Sequence, residues 1–589
     1  MTDTTAPSDT IERRRDVVIC GGGLAGLLLA RQIRRELPAL SVTVLERQAR
    51  PLPDGCHKVG ESSVEVAAQY LARLGLTEYL GERQIPKLGL RFFPGGGELP
   101  LEQRTEIGPS AEPVVGSWQL DRGRFEDDLR GLIEQDGVEL VEGARVREIR
   151  LGREGADHAV GYELEGGIHS LSARWVVDAT GRAALLRRDL KLTRGTQHVA
   201  SAGWFRIAGR FDINDLVPAS ATDWHQRPCA PQRWRSTNHF MGRGYWAWVI
   251  PLSTGMTSIG LVIQEEVHPF STVSTLEGVR AFLERHEPQL ARALAGSEAL
   301  DFLCLGKYAN MVSRCWSVDR WAIVGIAGAF VDPLYSPGSD FIAFANSFTT
   351  ELMRRERAGQ DITPKVTHFN VQYRTFVAST IELFRTAAPV YGHPQAMAAK
   401  VYWDNFTYWS FTCQYFQQSV WTLEPGRHEG FDEAGRRFAR YSTGVHALLR
   451  AWAELAPPVH SRTMKPMPVF PSLLVDAHIA VGRTMPLDEG LAYVTERADQ
   501  AREVVGELVL RALQELGPEP GRELLLRSRF AEWELPIPAE RLALEELDAR
   551  ARRRRLSPVA VDVERNLGPL RRHPQAAQAR ELITQGSTA

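Results

Sequence analysis

The sequence predicts an α/β fold in which strand-rich insertions interrupt a Rossmann-like sheet and helices form the C-terminal part. Residues 16–45 contain an apolar strand, a glycine loop, a helix and a second strand, which is the order of a βαβ unit. Two further apolar strand patterns, at 174–178 and 320–324, are each followed by a glycine-containing turn. Beyond residue 365, helical patterns dominate.

The domain boundaries follow from these shifts in pattern along the 589 residues. At about 150 residues per domain the length allows roughly four domains, or fewer if the α/β domain is large. We expect a disordered lead-in at 1–13, the α/β domain at 14–365 with a β-sheet inserted at about 88–170 and 195–305, a helical region at 366–560, and a loose tail at 561–589.

Composition and charge exclude several classes of protein. The 70 basic and 72 acidic residues nearly cancel, which argues against nucleic acid as the main partner. The six cysteines form no CxxC pair, as expected in a reducing cytoplasm. No apolar run reaches the length of a membrane span, and the polar start lacks a signal-peptide core. The histidines lack HxxxH spacing and no GxSxG elbow occurs, so we predict neither a metal site nor a serine nucleophile.

The glycine loop after the first strand carries the first chemical signal. It has a GxGxxG pattern, and glycines there permit a tight turn and a close backbone approach to a pyrophosphate. The helix that follows offers free N–H groups to the same anion. An acid at the end of the next strand can accept hydrogen bonds from ribose hydroxyls. The pattern predicts a dinucleotide site, to which we assign Gly21, Gly23, Ala25, Gly26, Glu46 and Arg47.

Two later segments favour FAD over NAD as the dinucleotide. Residues 176–181 close a buried strand with Val-Val-Asp-Ala-Thr-Gly, and residues 321–333 form another strand followed by glycines and Asp-Pro. A chain that returns twice more can hold the middle and the flavin end of a long cofactor. This three-part pattern resembles the FAD-binding fold of the aromatic hydroxylase and flavin halogenase superfamily. Arg124 matches an arginine that this family uses near the cofactor, although a helix-surface arginine is an equal alternative. The expected further contacts are Asp178, Gly181, Gly325, Asp332 and Pro333.

A WxWxIP sequence narrows the resemblance. It is similar to the signature of flavin-dependent halogenases, in which two tryptophans, here Trp246 and Trp248, separate the flavin from the substrate chamber. Bulky indoles at this place would keep a substrate from the flavin and favour a small diffusing oxidant. Alone, such a strand would be interpreted as core packing. Residues 330–338 also fit the family's FxxPxxSxG pattern, which places Ser336 and Gly338 beside the flavin.

Lys87 stands where this family has its catalytic lysine, after a turn at 60–63 that resembles the family's GES turn. The resemblance implies that reduced FAD and O2 give a C4a-hydroperoxide, that chloride or bromide attacks it, and that hypohalous acid crosses to Lys87. An electron-rich aromatic or pyrrole substrate of secondary metabolism, free or bound to a carrier protein, would then be halogenated. A separate NAD(P)H-dependent flavin reductase would supply FADH2, because no second nucleotide fingerprint is present. The alternative for Lys87 is a solvated lysine before a strand.

Two departures from the family pattern keep a rival function open. Tyr335 stands where tryptophan-modifying members carry a glutamate, which favours the branch acting on phenols, pyrroles or carrier-bound acyl groups. Pro337 lacks the N–H that the family directs at the halide, and a buried anion that loses a donor is penalised by about 1–3 kcal/mol. The rival is an FAD-dependent monooxygenase or dehydrogenase without halide use. A flavin-binding protein without turnover is the third alternative.

The segment 401–421 holds nine aromatic residues at helical spacing on more than one face. The simpler interpretation is a buried core helix. The alternative is a lining for an aromatic or polyketide-like substrate, because in the resembled family the C-terminal helices cap the substrate chamber. On that basis we assign the capping role to residues 366–560.

Overall fold

A computed structural model describes residues 13–52, 58–424, 426–470, 472–529 and 557–570. The predicted lead-in, apart from its last residue, and the end of the predicted tail lie outside these ranges. The strands in the described ranges are β1 (Arg13–Cys20), β2 (Val42–Glu46), β3 (Ile85–Lys87), β4 (Leu90–Phe93), β5 (Glu106–Gly108), β6 (Ser117–Gln119), β7 (Glu139–Glu142), β8 (Arg145–Arg150), β9 (His158–Leu164), β10 (Gly167–Asp178), β11 (Thr193–Arg194), β12 (Ala200–Ala208), β13 (Thr237–Gly242), β14 (Tyr245–Pro251), β15 (Met256–Gln264), β16 (Ala299–Leu305), β17 (Asn310–Val312), β18 (Trp321–Ile323), β19 (Ala329–Phe330) and β20 (Met464–Pro466).

The α-helices in the same ranges are α1 (Leu24–Glu36), α2 (Glu65–Arg73), α3 (Thr77–Arg83), α4 (Arg122–Gln135), α5 (Leu185–Asp189), α6 (Thr222–His225), α7 (Leu276–His286), α8 (Pro288–Leu294), α9 (Gly338–Arg357), α10 (Thr363–Arg385), α11 (Ala388–Tyr391), α12 (Pro394–Thr407), α13 (Cys413–Gln417), α14 (Glu429–Leu455), α15 (Leu473–Val481), α16 (Leu487–Leu516), α17 (Pro518–Arg527) and α18 (Pro558–Leu567). Within the described residues, none of these helices has the length and apolarity that a membrane crossing requires.

The first large sheet has seven strands in the order β7-β2-β1-β10-β9-β8, with β18 paired to the end of β10. Strands β7, β2, β1, β10 and β18 run parallel, so their carboxyl ends meet at one edge. The last four residues of β1 are fully buried, as expected where helices cover both faces of a parallel sheet. This is the predicted Rossmann-like unit, and the α/β fold class is confirmed.

The second large sheet has eight strands in the order β16-β12-β15-β14-β13-β4-β5-β20. Alternate residues of β14 serve its two faces, because successive side chains of a strand point to opposite sides. Tyr245 and Val249 join a core formed with α7 and α8, whereas Trp246 and Trp248 turn toward the core of the first sheet. The alternation therefore sends both tryptophans to the side of the cavity described below.

Two predicted boundaries differ from the structure. Strands β7 to β9 and the start of β10 were assigned to the inserted sheet, but they belong to the first sheet. The reason is the length of β10, whose first half pairs with β9 and whose second half pairs with β1. The start of the predicted loose tail is helix α18, because Val559, Val563 and Leu567 form one apolar face that packs into the helical core.

Candidate active site

A cavity of about 1280 Å³ lies between the two large sheets, at the carboxyl ends of β1, β2, β10 and β18. Ligands of open α/β sheets bind at this edge. The predicted residues that line the cavity are Gly21, Gly23, Ala25, Glu46, Arg47, Gly181, Trp246, Trp248, Gly325, Pro333, Ser336 and Gly338. The predicted residues that do not line it are Gly26, Lys87, Arg124, Asp178 and Asp332.

At several positions in and around the glycine loop, neighbouring atoms leave no room for a side chain. Gly21 has a φ of +116°, and a Cβ there would overlap the carbonyl oxygen of Ala179. Gly26 does not line the cavity, but a Cβ on it would overlap the carbonyl oxygen of Gly21. Gly325 has a φ of +63°, and its Cβ would lie 2.7 Å from that of Ala25. The loop thus packs backbone against backbone and presents the start of α1 to the cavity.

Glu46 ends β2 at the same edge and is buried. Its Oε2 accepts a hydrogen bond of 2.6 Å from the N–H of Gly22, and its Oε1 accepts one of 2.9 Å from the N–H of Gln48. The carboxylate therefore fixes the glycine loop against the second strand. It also lines the cavity, where an acid can meet ribose hydroxyls.

Asp178 and Asp332 are fully buried behind the cavity wall and brace its turns. Asp178 accepts hydrogen bonds from the N–H of Thr180, at 3.0 Å, and of Leu186, at 2.8 Å. Asp332 accepts one of 2.9 Å from the hydroxyl of Tyr308. Both carboxylates hold the backbone that reaches the cavity, so their place in the structure is that of supports for the lining residues.

Arg122, two residues before the predicted Arg124, lines the cavity, as the predicted Arg47 does. Arg124 points to the carbonyl oxygen of Ser253, 3.4 Å away. Arg122 donates to the carbonyl oxygen of Val59 over 3.1 Å and forms an ion pair with the buried Glu126. The difference arises because α4 begins at Arg122, which turns residues two apart to different sides. Cavity residues that we did not assign from sequence include Lys58, Glu61, Arg122, Glu126, Thr237 and His239.

Two of these unassigned residues, Glu61 and His239, are buried titratable groups at the second sheet. Burial raises the pKa of Glu61 to about 7, although the Arg206 guanidinium opposes the shift. Burial lowers the pKa of His239 to about 3, so this ring is neutral at pH 7. The ring of His239 stacks on Phe92 with centroids 4.7 Å apart. Glu61 lies in the GES-like turn, but no sequence motif marked His239.

Trp246 and Trp248 form an aromatic wall of the cavity. They are 2% and 3% exposed, and their ring centroids lie 5.7 Å apart. Trp248 also packs at 6.5 Å from Trp204 and donates its indole N–H to the hydroxyl of Ser258 over 3.1 Å. Gly260, opposite Trp248 on β15, makes room for the indole, since a Cβ there would overlap the ring. The wall is therefore held rigidly by the second sheet.

Lys87 is 1% exposed and lies behind the lining residue Ser62, outside the cavity itself. Its Nζ donates a hydrogen bond of 2.9 Å to the carbonyl oxygen of Ser63. Burial lowers the pKa of Lys87 to about 7, although the charges of Glu65 and Asp340 oppose the shift. The amine is therefore partly neutral at pH 7, which a solvated lysine is not.

Asp340, in the first turn of α9, shares this buried region with Lys87. Its Oδ1 accepts a hydrogen bond of 2.9 Å from the N–H of Ala67, and its Oδ2 accepts one of 2.7 Å from the hydroxyl of Tyr408. The Tyr408 oxygen also accepts from the N–H of Val66 over 3.2 Å. No motif pointed to Asp340, because three separate segments meet here only in the folded chain.

Pro337 is the N-cap of α9. Its missing N–H is not needed by the helix, whose first N–H groups have no intrahelical acceptor. Gly338 and Ser339 follow at the cavity and carry two of these N–H groups. Ser336, which precedes Pro337, has a φ of +59°, and this conformation turns the backbone sharply into the helix. The donors available to an anion at this place are thus those of the first helical turn.

The aromatic segment forms α12, a π-helical turn at Tyr408–Thr412, and α13. Most of its rings are buried among α9, α10 and α14; Phe416, for example, packs at 5.2 Å from Phe344. This supports the core interpretation for most of the segment. Tyr408 is the member that contacts Asp340.

Comparison with known proteins agrees with this geometry. Residues 14–259 match a family model described as an FAD binding domain, which agrees with a cavity at the carboxyl ends of the parallel strands. The resemblance to the flavin-dependent halogenases is confirmed by curated relatives. A flavin-dependent halogenase of Dictyostelium discoideum is 28% identical over 67% of this chain and 69% of its own length. A 1H-pyrrole-2-carbonyl peptidyl-carrier protein brominase of Pseudoalteromonas luteoviolacea is 25% identical over 55% of this chain and 74% of its own.

Solved structures share the fold. The halogenase PltM in complex with phloroglucinol and FAD has a TM-score of 0.60 at 16% identity, over 88% of this chain and 99% of its own. The flavin-dependent brominase Bmp2 has a TM-score of 0.52 at 22% identity, over 64% of this chain and 87% of its own. At these identities the likeness establishes the fold, and the chemistry is argued below from this chain's own residues.

Proposed function

We propose that the protein is an FAD-dependent oxidoreductase that halogenates an electron-rich aromatic or pyrrole substrate through Lys87. The observation that carries the proposal is a buried lysine of lowered pKa behind the wall of a cavity that fits a dinucleotide. An amine that is neutral near pH 7 is a nucleophile, and burial protects it from water. The curated relatives, which are flavin-dependent halogenases and pyrrolyl-carrier-protein halogenases, support the reaction class.

The residues present fit FAD. The crowded glycine loop and the start of α1 would hold the pyrophosphate, and Glu46 would hold the ribose. The turns that Asp178 and Asp332 brace would hold the middle of the cofactor and its flavin end. When bound and reduced, FAD would donate electrons to O2, which would then take further electrons from the halide and convert it to hypohalous acid.

Three features of the chain would direct that oxidant. The Trp246–Trp248 wall keeps a bulky substrate away from the flavin. The N–H groups of Gly338 and Ser339 offer a halide site beside it, despite Pro337. Hypohalous acid would leave the cavity past Ser62 and reach Lys87, which would hold the halogen for the substrate. The substrate would bind on the Lys87 side of the wall, near the helical region to which Tyr408 belongs.

The substrate is a free small molecule or an acyl group on a carrier protein, and a separate flavin reductase supplies FADH2. Carrier-bound pyrroles are the substrates named for two relatives, which supports the second alternative. The competing function is oxygenation or dehydrogenation without halide. Pro337 favours it, because one backbone donor is missing beside the predicted halide position.

The test is reoxidation of the FADH2-loaded protein by O2, with and without chloride or bromide, in the presence of a halogen-accepting diketone. Halogenation of the diketone that depends on halide supports the proposal. Reoxidation that is indifferent to both halides, with oxygen incorporated into an aromatic acceptor, indicates the monooxygenase. Reoxidation without either product indicates the dehydrogenase or a flavin-binding protein.

A further inference from the structure

Two histidines and an aspartate come together where helix α10 packs against the start of α14. His368 lies in the second turn of α10, His428 is the N-cap of α14, and Asp432 follows in the first turn of that helix. One ring nitrogen or carboxylate oxygen of each residue lies within 4.8 Å of those of the other two. The two histidines are far apart in the sequence, which explains why no spacing motif marked them.

The contacts inside this cluster leave one ring nitrogen without a partner. The imidazole rings of His368 and His428 stack, with centroids 4.0 Å apart and planes at 29°. Nδ1 of His428 and Oδ2 of Asp432 lie 2.8 Å apart, at hydrogen-bond distance. Nε2 of His368 is shielded from solvent and has no hydrogen-bond partner among the described residues. Buried polar atoms normally have a partner, and a bound ion would supply the missing one.

The backbone that carries the cluster is held in place by other contacts. One turn before His368, the Nζ of Lys365 donates a hydrogen bond of 2.6 Å to the carbonyl oxygen of Trp421, in the chain that leads to α14. Directly after His368, the ring of Phe369 stacks on Phe348 of α9 with centroids 4.2 Å apart. The two helices therefore present the three side chains from a frame that does not depend on a ligand.

The charges around the cluster suit a divalent cation. Besides the second ring, the groups that face His368 are Asp432, Lys365 and Gln372. Asp432 supplies a negative charge, and imidazole rings are mostly neutral above their ordinary pKa of about 6.5. Lys365 opposes a cation, but backbone carbonyl oxygens bind its ammonium. The side chain of Gln372 is held by the hydroxyl of Tyr415, which donates to its Oε1 over 2.6 Å.

We propose that His368, His428 and Asp432 bind one Zn²⁺, with water as the fourth ligand. Imidazole nitrogen and carboxylate oxygen are ligands of tetrahedral zinc, whereas Ca²⁺ and Mg²⁺ prefer oxygen ligands alone. Bonds of about 2.1 Å to zinc would place the ligand atoms about 3.4 Å apart. Rotation of half-buried side chains can close the present spacing of up to 4.8 Å to that value. The inference does not depend on the proposed function.

The ion would fasten α10 to α14 and so close the part of the chain between them. That part contains α11, α12, the π-helical turn and α13, which together form the aromatic segment and its approach. The three ligands do not line the cavity, so the ion is placed to stabilise the helical region and not to take part in the reaction. A ligand that binds the folded chain alone raises its stability with the ligand concentration.

The test is titration of the purified protein, with FAD added and other metals removed by EDTA, with Co²⁺ and then Zn²⁺ at pH 7.5. Tetrahedral Co²⁺ absorbs visible light far more strongly than octahedral Co²⁺. We expect one equivalent of Co²⁺ to give the tetrahedral bands and one equivalent of Zn²⁺ to remove them. Zinc at a hundredfold excess over its Kd should raise the Tm by at least about 2 °C. Neither readout requires halogenation, so failure here is distinct from failure of the proposed function.

Asp432→Asn keeps both rings and an acceptor beside His428, so the fold should be unaffected while the negative charge is lost. We expect the Co²⁺ affinity to fall by at least about tenfold in this variant and by about 10²-fold in His368→Gln, because even the loss of a residue that only orients a ligand costs about 10–100-fold. His286→Gln is the matched control, since His286 is also half-buried and its ring stacks on Phe282 at 4.2 Å.

The control variant should keep both the wild-type affinity and the gain in Tm. Equal Co²⁺ affinity in all four proteins, or a wild type without tetrahedral bands, would overturn the proposed site. Zinc binding that leaves the Tm of the wild type unchanged would overturn the fastening role.

Discussion

The Nζ of Lys87 donates to the carbonyl oxygen of Ser63 over 2.9 Å, one residue beyond the cavity-lining Ser62. This bond places the amine directly behind the cavity wall and keeps it out of solvent. The position explains its lowered pKa, because removing an ammonium from water disfavours the charged form. It also gives the lysine a chemical property that neither its sequence context nor its residue type supplies.

Lys87→Met should abolish halogenation while FAD remains bound. Methionine has a similar length and tolerates burial, so the protein should stay folded. We expect product formation to fall by at least about 10²-fold, since the group that takes the halogen is gone. The measurement is product formation by the reconstituted enzyme beside FAD titration of the same samples. Equal product from both proteins would remove Lys87 from the mechanism.

Gly21→Ala should prevent FAD binding. The new Cβ would overlap the carbonyl oxygen of Ala179, and the φ of +116° is strained for any residue with a side chain. Gly195→Ala is the matched control, because a Cβ there meets no atom within 4 Å. Flavin fluorescence titration should show FAD binding that is at least about tenfold weaker for Gly21→Ala. The affinity of the control variant should not change. Tight FAD binding by Gly21→Ala would place the cofactor elsewhere.

Trp246→Leu should uncouple oxygen consumption from halogenation. A smaller side chain opens the wall, so hypohalous acid escapes and substrate reaches the flavin. Trp175→Leu is the control, as Trp175 is equally buried but does not line the cavity. Both should lose stability, by less than the about 3–5 kcal/mol that truncation of a buried tryptophan to alanine costs. The ratio of halogenated product to O2 consumed should fall for Trp246→Leu alone. An equal fall in both variants would show that the loss comes from lower stability of the protein and not from opening of the wall.

Glu106 should govern the stability of the second sheet in acid. It is fully buried beside Arg91, Arg227 and Arg233, with Arg233 Nε at 2.9 Å. Burial opposes these arginines, but they lower the pKa of Glu106 to about 2. Its contribution is therefore present above the unfolded pKa of about 4.3 and is lost as the pH falls toward about 2.

Glu106→Gln should cost about 3–5 kcal/mol at pH 7, because it leaves buried guanidinium groups without their anion. Urea unfolding at pH 7 and pH 3 should show a smaller acid loss in the variant than in the wild type. Glu433→Gln is the control, since its pair with Arg436 is 61% and 67% exposed. An equal acid loss in Glu106→Gln would assign the acid sensitivity to other groups.

Much of the part of the cavity that we assign to FAD could be predicted from sequence, because its residues lie close together along the chain. The order of strand, glycine loop, helix and acid is local, and it places Gly21 and Glu46 at one sheet edge. The tryptophan pair was likewise predictable, since a strand sends alternate residues to one face.

The rest depends on tertiary contacts that no local pattern records. Lys87 and Asp340 both bind the start of α2, at Ser63 and Ala67, although they are far apart in the sequence. Arg122 replaces Arg124 at the cavity because of where α4 begins. Strand β10 pairs with β9, β1 and β18 along its length, so the pattern could not show where the inserted sheet starts. Side-chain direction and long-range pairing decide these points, and composition does not.

The central claim is that halogen reaches the substrate through Lys87. The most direct measurement is mass analysis of the product after one turnover of the FADH2-loaded protein with O2, bromide and an electron-rich phenol or pyrrole. The account predicts a brominated product from the wild type and none from Lys87→Met, although both consume O2. An oxygenated product without bromine from the wild type would contradict it, and would assign the cavity and the buried lysine to a different oxidation.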